Sequence, residues 1–102
     1  MRIFYIRPAE LEYERKLARI ALPPFTTHSI LDFVQDIEAL EKEILRHPGL
    51  RVAPGAPPGF FRVGPSRIYS YSLIYRLRDG DAYIIAVAAP QRRPLYWKGR
   101  TI

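Results

Sequence analysis

The stretch RIYSYSLIYRLRDGDAYIIAVA, residues 67–88, decides the fold. Residues 67–78 alternate aromatic or aliphatic side chains with Ser and Arg, which predicts a β-strand with one buried face. Asp79-Gly80 is a strong signal for a type I′ turn, so residues 81–88 are predicted to return as the antiparallel partner. A two-residue turn predicts the pairs Arg78/Asp81, Arg76/Tyr83, Ile74/Ile85 and Ser72/Val87 on one face, and Leu77/Ala82, Tyr75/Ile84, Leu73/Ala86 and Tyr71/Ala88 on the other.

The second of these faces is more uniformly apolar and is predicted to pack against helices, while the face with Arg and Ser is expected to be partly open. Residues 2–7 have the pattern of a short first strand, and Pro8 suits the first turn of a helix. Residues 9–21 are predicted to form that helix and to end at residues 22–24. Its expected apolar side holds Leu11, Ala18 and Ala21, and its expected solvated side holds Glu12, Arg15, Lys16 and Arg19.

A second helix is predicted from Ser29, as N-cap, to the stop signal His47-Pro48-Gly49. Its apolar stripe is Ile30, Phe33, Val34, Ile37, Leu40, Ile44 and Leu45, and its expected solvated residues are Asp32, Asp36, Glu38, Glu41 and Lys42. Residues 52–59 are a loop rich in Pro and Gly, residues 60–63 a short strand, and residues 89–102 a basic, aromatic tail. The order β-α-α-β-β-β predicts one α+β domain over residues 1–102: an N-terminal strand, then an antiparallel β-meander with the helical hairpin on one face.

The charge of this chain is concentrated in its C-terminal part. The net charge is +6, and residues 59–102 carry eight Arg or Lys against two Asp, so this part alone accounts for it. A one-sided basic surface is typical of proteins that bind a polyanion or an acidic partner, although a charge that serves only solubility is the alternative. No membrane span and no signal peptide are predicted, so a cytoplasmic protein is expected.

Few residues point to catalysis. The chain has no Cys, and neither His28 nor His47 has the spacing of a metal ligand or a catalytic pair, so neither a metal nor a cofactor is expected. What remains is a set of basic and aromatic residues. The weak catalytic candidates are Arg62, Arg76, Arg92 and Tyr96. The candidates for binding a target or partner are Arg67, Arg92, Arg93, Tyr96, Trp97, Lys98 and Arg100, with packing of the tail as the alternative role for Tyr96 and Trp97.

Three segments carry a resemblance to a known family. Residues 67–81 resemble the central hairpin of the ParE/RelE superfamily, the toxins of type II toxin–antitoxin systems. Residues 91–97, QRRPLYW, are similar to the tail common in its plasmid-stabilisation members, and residues 46–50 to the junction after its second helix. The resemblance implies a growth-inhibiting toxin that a cognate antitoxin neutralises and that contacts DNA only through that antitoxin. ParE-like members inhibit DNA gyrase, whereas RelE-like members cleave mRNA in the ribosome with Arg, Lys and Tyr side chains.

The sequence departs from the patterns of the family in three ways. Ser72 follows Tyr71 where the central strand normally has Arg, and Ala89-Pro90-Gln91 stand where RelE nucleases often have Gly-Lys-Arg. Ala89 also stands where plasmid-stabilisation tails often carry His. A Ser in place of Arg removes a charged contact to a phosphate in the transition state. The resemblance therefore favours a ParE-like toxin that acts by binding and is not an enzyme. A RelE-like mRNA endoribonuclease and a degenerate member that only binds a partner remain as alternatives.

Overall fold

The computed structural model describes residues 1–23 and 27–102, without the side chains of Thr27 and His28; the predicted helix stop at Pro24 and the role of His28 lie outside this description. The elements are β1 (Ile3–Tyr5), α1 (Arg7–Ile20), α2 (Thr27–Arg46), β2 (Phe61–Val63), β3 (Ser72–Arg78) and β4 (Asp81–Ala88). The predicted α+β order is confirmed. None of the helices in the described ranges is long and apolar enough to cross a membrane.

The four strands form one mixed sheet in the order β1-β4-β3-β2. The meander of β2, β3 and β4 is antiparallel as predicted, while β1 pairs with β4 in parallel. A parallel pair needs a long crossover connection, and the intervening helical hairpin supplies part of it. Both helices pack on the same sheet face. The strand order places β1 at one edge of the sheet.

Helix α1 uses a different buried stripe from the one predicted. Ala9 and Ile20 are buried and Tyr13 and Leu17 pack beside them, whereas Ala18 is exposed. The prediction of an apolar side with Ala18 was wrong. Burying the larger Tyr13 and Leu17 removes more apolar surface from water than burying alanines does, so the helix rotates to favour them.

Helix α2 follows the prediction over most of its length. Phe33, Ile37, Leu40 and Ile44 are buried, while Leu45 is exposed at the end of the helix. The helix begins at Thr27, so Ser29 lies inside the first turn and its prediction as N-cap was wrong.

The predicted hairpin register is correct only near the turn. Asp79 and Gly80 have φ values of 51° and 80°, as a type I′ turn requires, and pairing follows the prediction as far as Tyr75 with Ile84. The next pair is Ile74 with Ala86, so Ile85 is an extra residue on β4. Beyond this bulge the four predicted pairs Ile74/Ile85, Leu73/Ala86, Ser72/Val87 and Tyr71/Ala88 were wrong.

The bulge determines which side chains pack against the helices and which pack on the opposite face of the sheet. Val87 turns toward the helices, while Ile85 and Ala86 both lie on the opposite face. There they pack with Ala53, Phe60, Ile74 and Trp97. Over the bulged half of the hairpin, the face that was expected to be partly open is therefore covered by the tail and by the loop of residues 53–60.

The predicted strand from residue 67 begins only at Ser72, because a buried carboxylate holds the preceding residues in a turn. Asp36 of α2 is 5% exposed, and its two oxygens accept the backbone N–H groups of Ile68 at 3.0 Å and Tyr69 at 2.9 Å. Ser66 accepts the N–H of Tyr71 on the same turn. The prediction that Asp36 lies on a solvated face was wrong.

Replacing Asp36 with Ala should destabilise the fold, because two backbone donors lose a charged acceptor. We expect Asp36→Ala to lower the free energy of unfolding by about 2–3 kcal/mol, measured by urea denaturation. The control is Glu38→Ala, an exposed position on the same helix, where the change should stay within about 0.5 kcal/mol. Equal effects of the two substitutions would contradict the role of Asp36.

Candidate binding site: a basic cleft between the sheet and the tail

A cleft of about 420 Å³ lies between the tail and the sheet face that points away from the helices. We call it the basic cleft. Its polar lining residues include Arg62 from β2, Ser72 from β3, and Arg92 and Arg93 from the tail. Ile74, Leu95 and Trp97 contribute apolar surface. None of the described residues that line it is acidic or a histidine.

Arg62 is positioned by its neighbour strand. It pairs with Ile74 across β2 and β3, and its Nε and Nη2 donate to the Ser72 hydroxyl at 3.3 and 3.2 Å. Gly64 allows this closure: at φ +120°, a Cβ at this position would lie 2.8 Å from the Tyr71 carbonyl oxygen. Ser72, which stands where RelE-like proteins carry Arg, thus orients an arginine from the adjacent strand.

The two tail arginines differ in their contacts. The Arg92 guanidinium lies 3.8 Å from the centre of the Tyr96 ring and 3.7 Å from Glu12 Oε2, and its side chain is 49% exposed. Arg93 is exposed and forms no ion pair with any described residue. The cleft therefore presents one unpaired guanidinium, one half-paired guanidinium and that of Arg62 to an incoming anion.

Glu12 fixes the tail that forms the wall of this cleft. Its side chain is 10% exposed and accepts hydrogen bonds from the Val87 N–H at 3.0 Å and the Tyr96 hydroxyl at 2.6 Å. Arg100 donates to both carboxylate oxygens, at 2.8 and 3.2 Å, and also to the Ile85 carbonyl at 3.0 Å. We call this cluster of Glu12, Tyr96, Arg100 and the β4 backbone the Glu12 latch. The prediction that Glu12 lies on the solvated side of α1 was wrong.

The latch forms because β1 is short. β1 ends at Tyr5, and the last bond from this side is made by the N–H of Ile6 to the Ile84 carbonyl. The edge of β4 beyond that point would leave polar backbone groups unpaired, which is costly at a buried position. Glu12 and Arg100 take the places of the missing strand by pairing with Val87 and Ile85.

The structure brings only some of the predicted residues together. Arg62, Arg92, Arg93, Tyr96 and Trp97 line the basic cleft. Trp97 is only 4% exposed and packs against Phe60 with ring centres 5.3 Å apart, so it anchors the tail.

The other candidates lie elsewhere. Arg67 is exposed beside α2, and Lys98 is exposed outside the cleft. Arg76 lies over the Phe60 ring, and Arg100 is held in the Glu12 latch. Glu12 is the residue that sequence reasoning missed, and no local pattern marks it as part of the site. Ser72 was singled out only as a place where an Arg is absent, and its contact with Arg62 was not predicted.

The Tyr96 hydroxyl is held by the Glu12 latch. Burial, reinforced by the hydrogen bond to Glu12, raises the pKa of Tyr96 well above its ordinary value. The hydroxyl therefore stays protonated near neutral pH and points to Glu12. It acts as a hydrogen-bond donor that anchors the tail. No cluster of metal-binding side chains occurs in residues 1–23 and 27–102.

Fold and site together define a small α+β protein with a basic cleft on the sheet face away from its helices. Among solved structures, the chain resembles a chain of the "Chromosomal ParDE TA system from P. aeruginosa", with a TM-score of 0.69 and 17% sequence identity. The match covers 87% of this chain and 95% of that chain. It confirms the ParE-like fold that residues 67–81 and 91–97 indicate. No family model and no curated protein sequence matches the chain.

Removing the charge of Glu12 should loosen the tail, because Arg100 is 21% exposed and would keep a nearly buried charge without its partner. We expect Glu12→Gln to lower the free energy of unfolding by about 3 kcal/mol in urea denaturation. The control is Glu14→Gln, an exposed glutamate on the same helix, where the change should be about 0.5 kcal/mol or less. If the two variants unfold at the same urea concentration, the latch does not stabilise the fold.

The chain should lose stability in alkali. Burial raises the pKa of Tyr5, Tyr13, Tyr71, Tyr75 and Tyr96 in the folded protein. In the unfolded chain these phenols ionise near pH 10, so their contribution is complete below that pH and falls as the pH rises above it. The lowered pKa of Lys16, caused first by burial, acts in the opposite direction and offsets only part of the loss.

The check is the urea midpoint at about pH 8 and about pH 10.5, together with phenolate absorbance. We expect a clear decrease for the native chain and a smaller decrease for Tyr96→Phe. A midpoint that does not change between the two pH values would contradict the raised tyrosine pKa values.

Proposed function

We propose that this chain is the toxin component of a bacterial type II toxin–antitoxin pair. The observation that carries the proposal is the structural match to a chain of the P. aeruginosa ParDE system, which extends over 87% of this chain. The central hairpin and the tail QRRPLYW, residues 91–97, support it independently, because both resemble segments of the same superfamily.

The proposed mode of action is binding without chemistry, as in ParE-like toxins, with DNA gyrase as the target. One group that a nuclease of this superfamily would use is already engaged, because the Tyr96 hydroxyl donates to Glu12. Arg93 is exposed and Arg92 half-exposed, so the cleft can contact an acidic surface. Charge-assisted contacts of this kind are worth about 1.5–3 kcal/mol each.

In this proposal, a small cognate antitoxin neutralises the toxin by covering the surface that meets the target. An acidic segment of the antitoxin would complement the basic cleft. Contact with DNA would come only through the antitoxin. Because gyrase and the ribosome are both cytoplasmic, the proposed place of action is the cytoplasm.

A RelE-like mRNA endoribonuclease is the second candidate function. One observation favours it: Arg62, Arg92 and Arg93 line a single cleft whose described lining has no acidic residue, an arrangement that also suits a phosphodiester backbone. The two candidates differ in what purified protein does. A gyrase inhibitor blocks DNA supercoiling in a purified reaction, whereas an endoribonuclease cuts mRNA in translating ribosomes.

Induced expression in a bacterial host, with and without the neighbouring small gene, tests the toxin proposal. We expect growth arrest that the neighbour relieves. Filamentation with DNA damage would support gyrase as the target, and arrest of translation would support the ribosome. Normal growth at a confirmed level of folded protein would overturn the toxin proposal in favour of a relative that only binds a partner.

Loss of the tail charges should weaken toxicity without unfolding the chain. We expect Arg92→Ala combined with Arg93→Ala to weaken binding to the target at least about tenfold, because two cations leave the cleft. The measurement is the inducer concentration that halves growth. The matched control, Arg15→Ala with Arg46→Ala, removes two exposed charges from the helices and should leave toxicity unchanged. Full growth arrest by the tail variant would contradict a role for these arginines.

A further inference from the structure

A buried hydroxyl on β3 has an unused hydrogen-bond donor. Tyr75 is 1% exposed, and its ring packs against Phe61 with ring centres 5.6 Å apart. The Tyr75 oxygen accepts the N–H of Gly49 at 2.9 Å, in the turn after α2, but no described residue accepts its hydroxyl proton. Burial raises the pKa of Tyr75, so the proton stays on the oxygen near neutral pH. Since buried polar groups nearly always have partners, this donor needs one from outside the chain, either water or a ligand.

Tyr75 lines a pocket between the end of α2 and β2. We call it the Tyr75 pocket. Its volume is about 300 Å³, which suits a small molecule. Ile44 from α2, Leu50 from the following segment and Val63 from β2 form the apolar part of its lining. A ligand that fits here therefore needs an apolar portion as well as an acceptor for the Tyr75 proton.

Two residues of opposite charge also line the Tyr75 pocket. Glu43 comes from α2 and Arg51 from the segment after it; both are exposed, and neither has an ion pair with a described residue. The carbonyl end of α2 adds partial negative charge on the side of Glu43. His47 adds an imidazole that can donate or accept a hydrogen bond. Arg62 is also in the lining, but its guanidinium is held at Ser72 in the basic cleft. The pocket thus offers one anion and one cation to a ligand.

We propose that the Tyr75 pocket binds a free α-amino acid with an aliphatic side chain. The carboxylate of the ligand accepts hydrogen bonds from the Tyr75 hydroxyl and the Arg51 guanidinium. Its ammonium pairs with Glu43, and its side chain lies against the apolar part of the lining. Hydrogen bonds between a neutral donor and a charged acceptor, and between two charged groups, are the strong ones in proteins. The inference does not depend on the proposed toxin function.

The two charges select this ligand class over simpler ones. A phosphate or another plain anion meets Arg51 but is repelled by Glu43, and a plain amine meets Glu43 but is repelled by Arg51. A ligand of one sign also leaves one charge of the pocket without a partner when it displaces water. Water alone is the remaining occupant, since it can accept the Tyr75 proton, and the experiment separates it from a ligand.

The test titrates the full ¹⁵N-labelled chain with L-leucine and follows the amide of Gly49, which donates to the Tyr75 oxygen. We expect saturable shifts at Gly49 and Arg51, with a dissociation constant of about 1 mM or tighter. N-acetyl-L-leucine lacks the ammonium and L-leucinamide lacks the carboxylate, so each should bind at least about tenfold more weakly. Unchanged spectra with about 20 mM L-leucine would show that water alone fills the pocket and would overturn the proposal. Equally tight binding of inorganic phosphate or of either analogue would overturn the assignment to an amino acid.

Two variants match each end of the ligand to its residue. Glu43→Gln should weaken L-leucine binding about tenfold without weakening that of N-acetyl-L-leucine, which has no ammonium. Arg51→Gln should weaken L-leucine binding by a similar factor without weakening that of L-leucinamide, which has no carboxylate. The controls Glu38→Gln and Arg46→Gln remove exposed charges of α2 outside the pocket and should bind L-leucine as the native chain does. Equal losses for L-leucine and for the matching analogue would reject the proposed pairing of charges.

Tyr75→Phe tests the donor itself. The substitution also leaves the Gly49 N–H without its acceptor, so urea denaturation first establishes that the variant folds. The folded variant should bind L-leucine at least about tenfold more weakly than the native chain. Unchanged affinity would show that the hydroxyl does not contact the ligand and would overturn the proposed site. If the variant does not fold, the substitutions at the exposed Glu43 and Arg51 decide the question.

Discussion

The tail and the basic cleft depend on the interactions of the Glu12 carboxylate. This carboxylate joins α1 to the bulged half of β4 and to the tail, through Val87, Tyr96 and Arg100. With the tail held there, Trp97 can cover Ile85 and Ala86, and the tail becomes one wall of the basic cleft. A buried charge is stable only when it is paired and hydrogen-bonded. Here the Glu12 carboxylate pairs with a backbone N–H of β4 and with the Arg100 guanidinium, and that guanidinium also pairs with a backbone carbonyl of β4.

This arrangement separates two kinds of arginine in a tail that looks uniform in sequence. Arg100 is engaged in the Glu12 latch and anchors the tail that forms one wall of the cleft. Arg93 is exposed, and Arg92 lies between Glu12 and the cleft. On the opposite wall, Ser72 orients Arg62. Preorganised cations of this kind favour the capture of an anionic surface, since little conformational entropy is lost when the partner binds.

The short strand β1 shapes the edge of the sheet. It pairs with β4 only over Ile3–Tyr5, so the side chains of Glu12 and Arg100 close the edge of β4 beyond it. Because Glu12 and Arg100 also hold the tail, the contacts that close this edge of the sheet also place one wall of the basic cleft.

The sequence by itself determined the element order, the α+β class, the type I′ turn at Asp79-Gly80 and the buried stripe of α2, because each depends on local periodicity or turn chemistry. It also showed that the positive charge lies in the C-terminal part. Only the tertiary structure decided the bulge at Ile85, the parallel pairing of β1, and the buried roles of Glu12 and Asp36. These features depend on partners far away in the chain: Glu12 meets Arg100 and Asp36 meets Ile68, and a polar residue on a helix carries no local mark of such a partner.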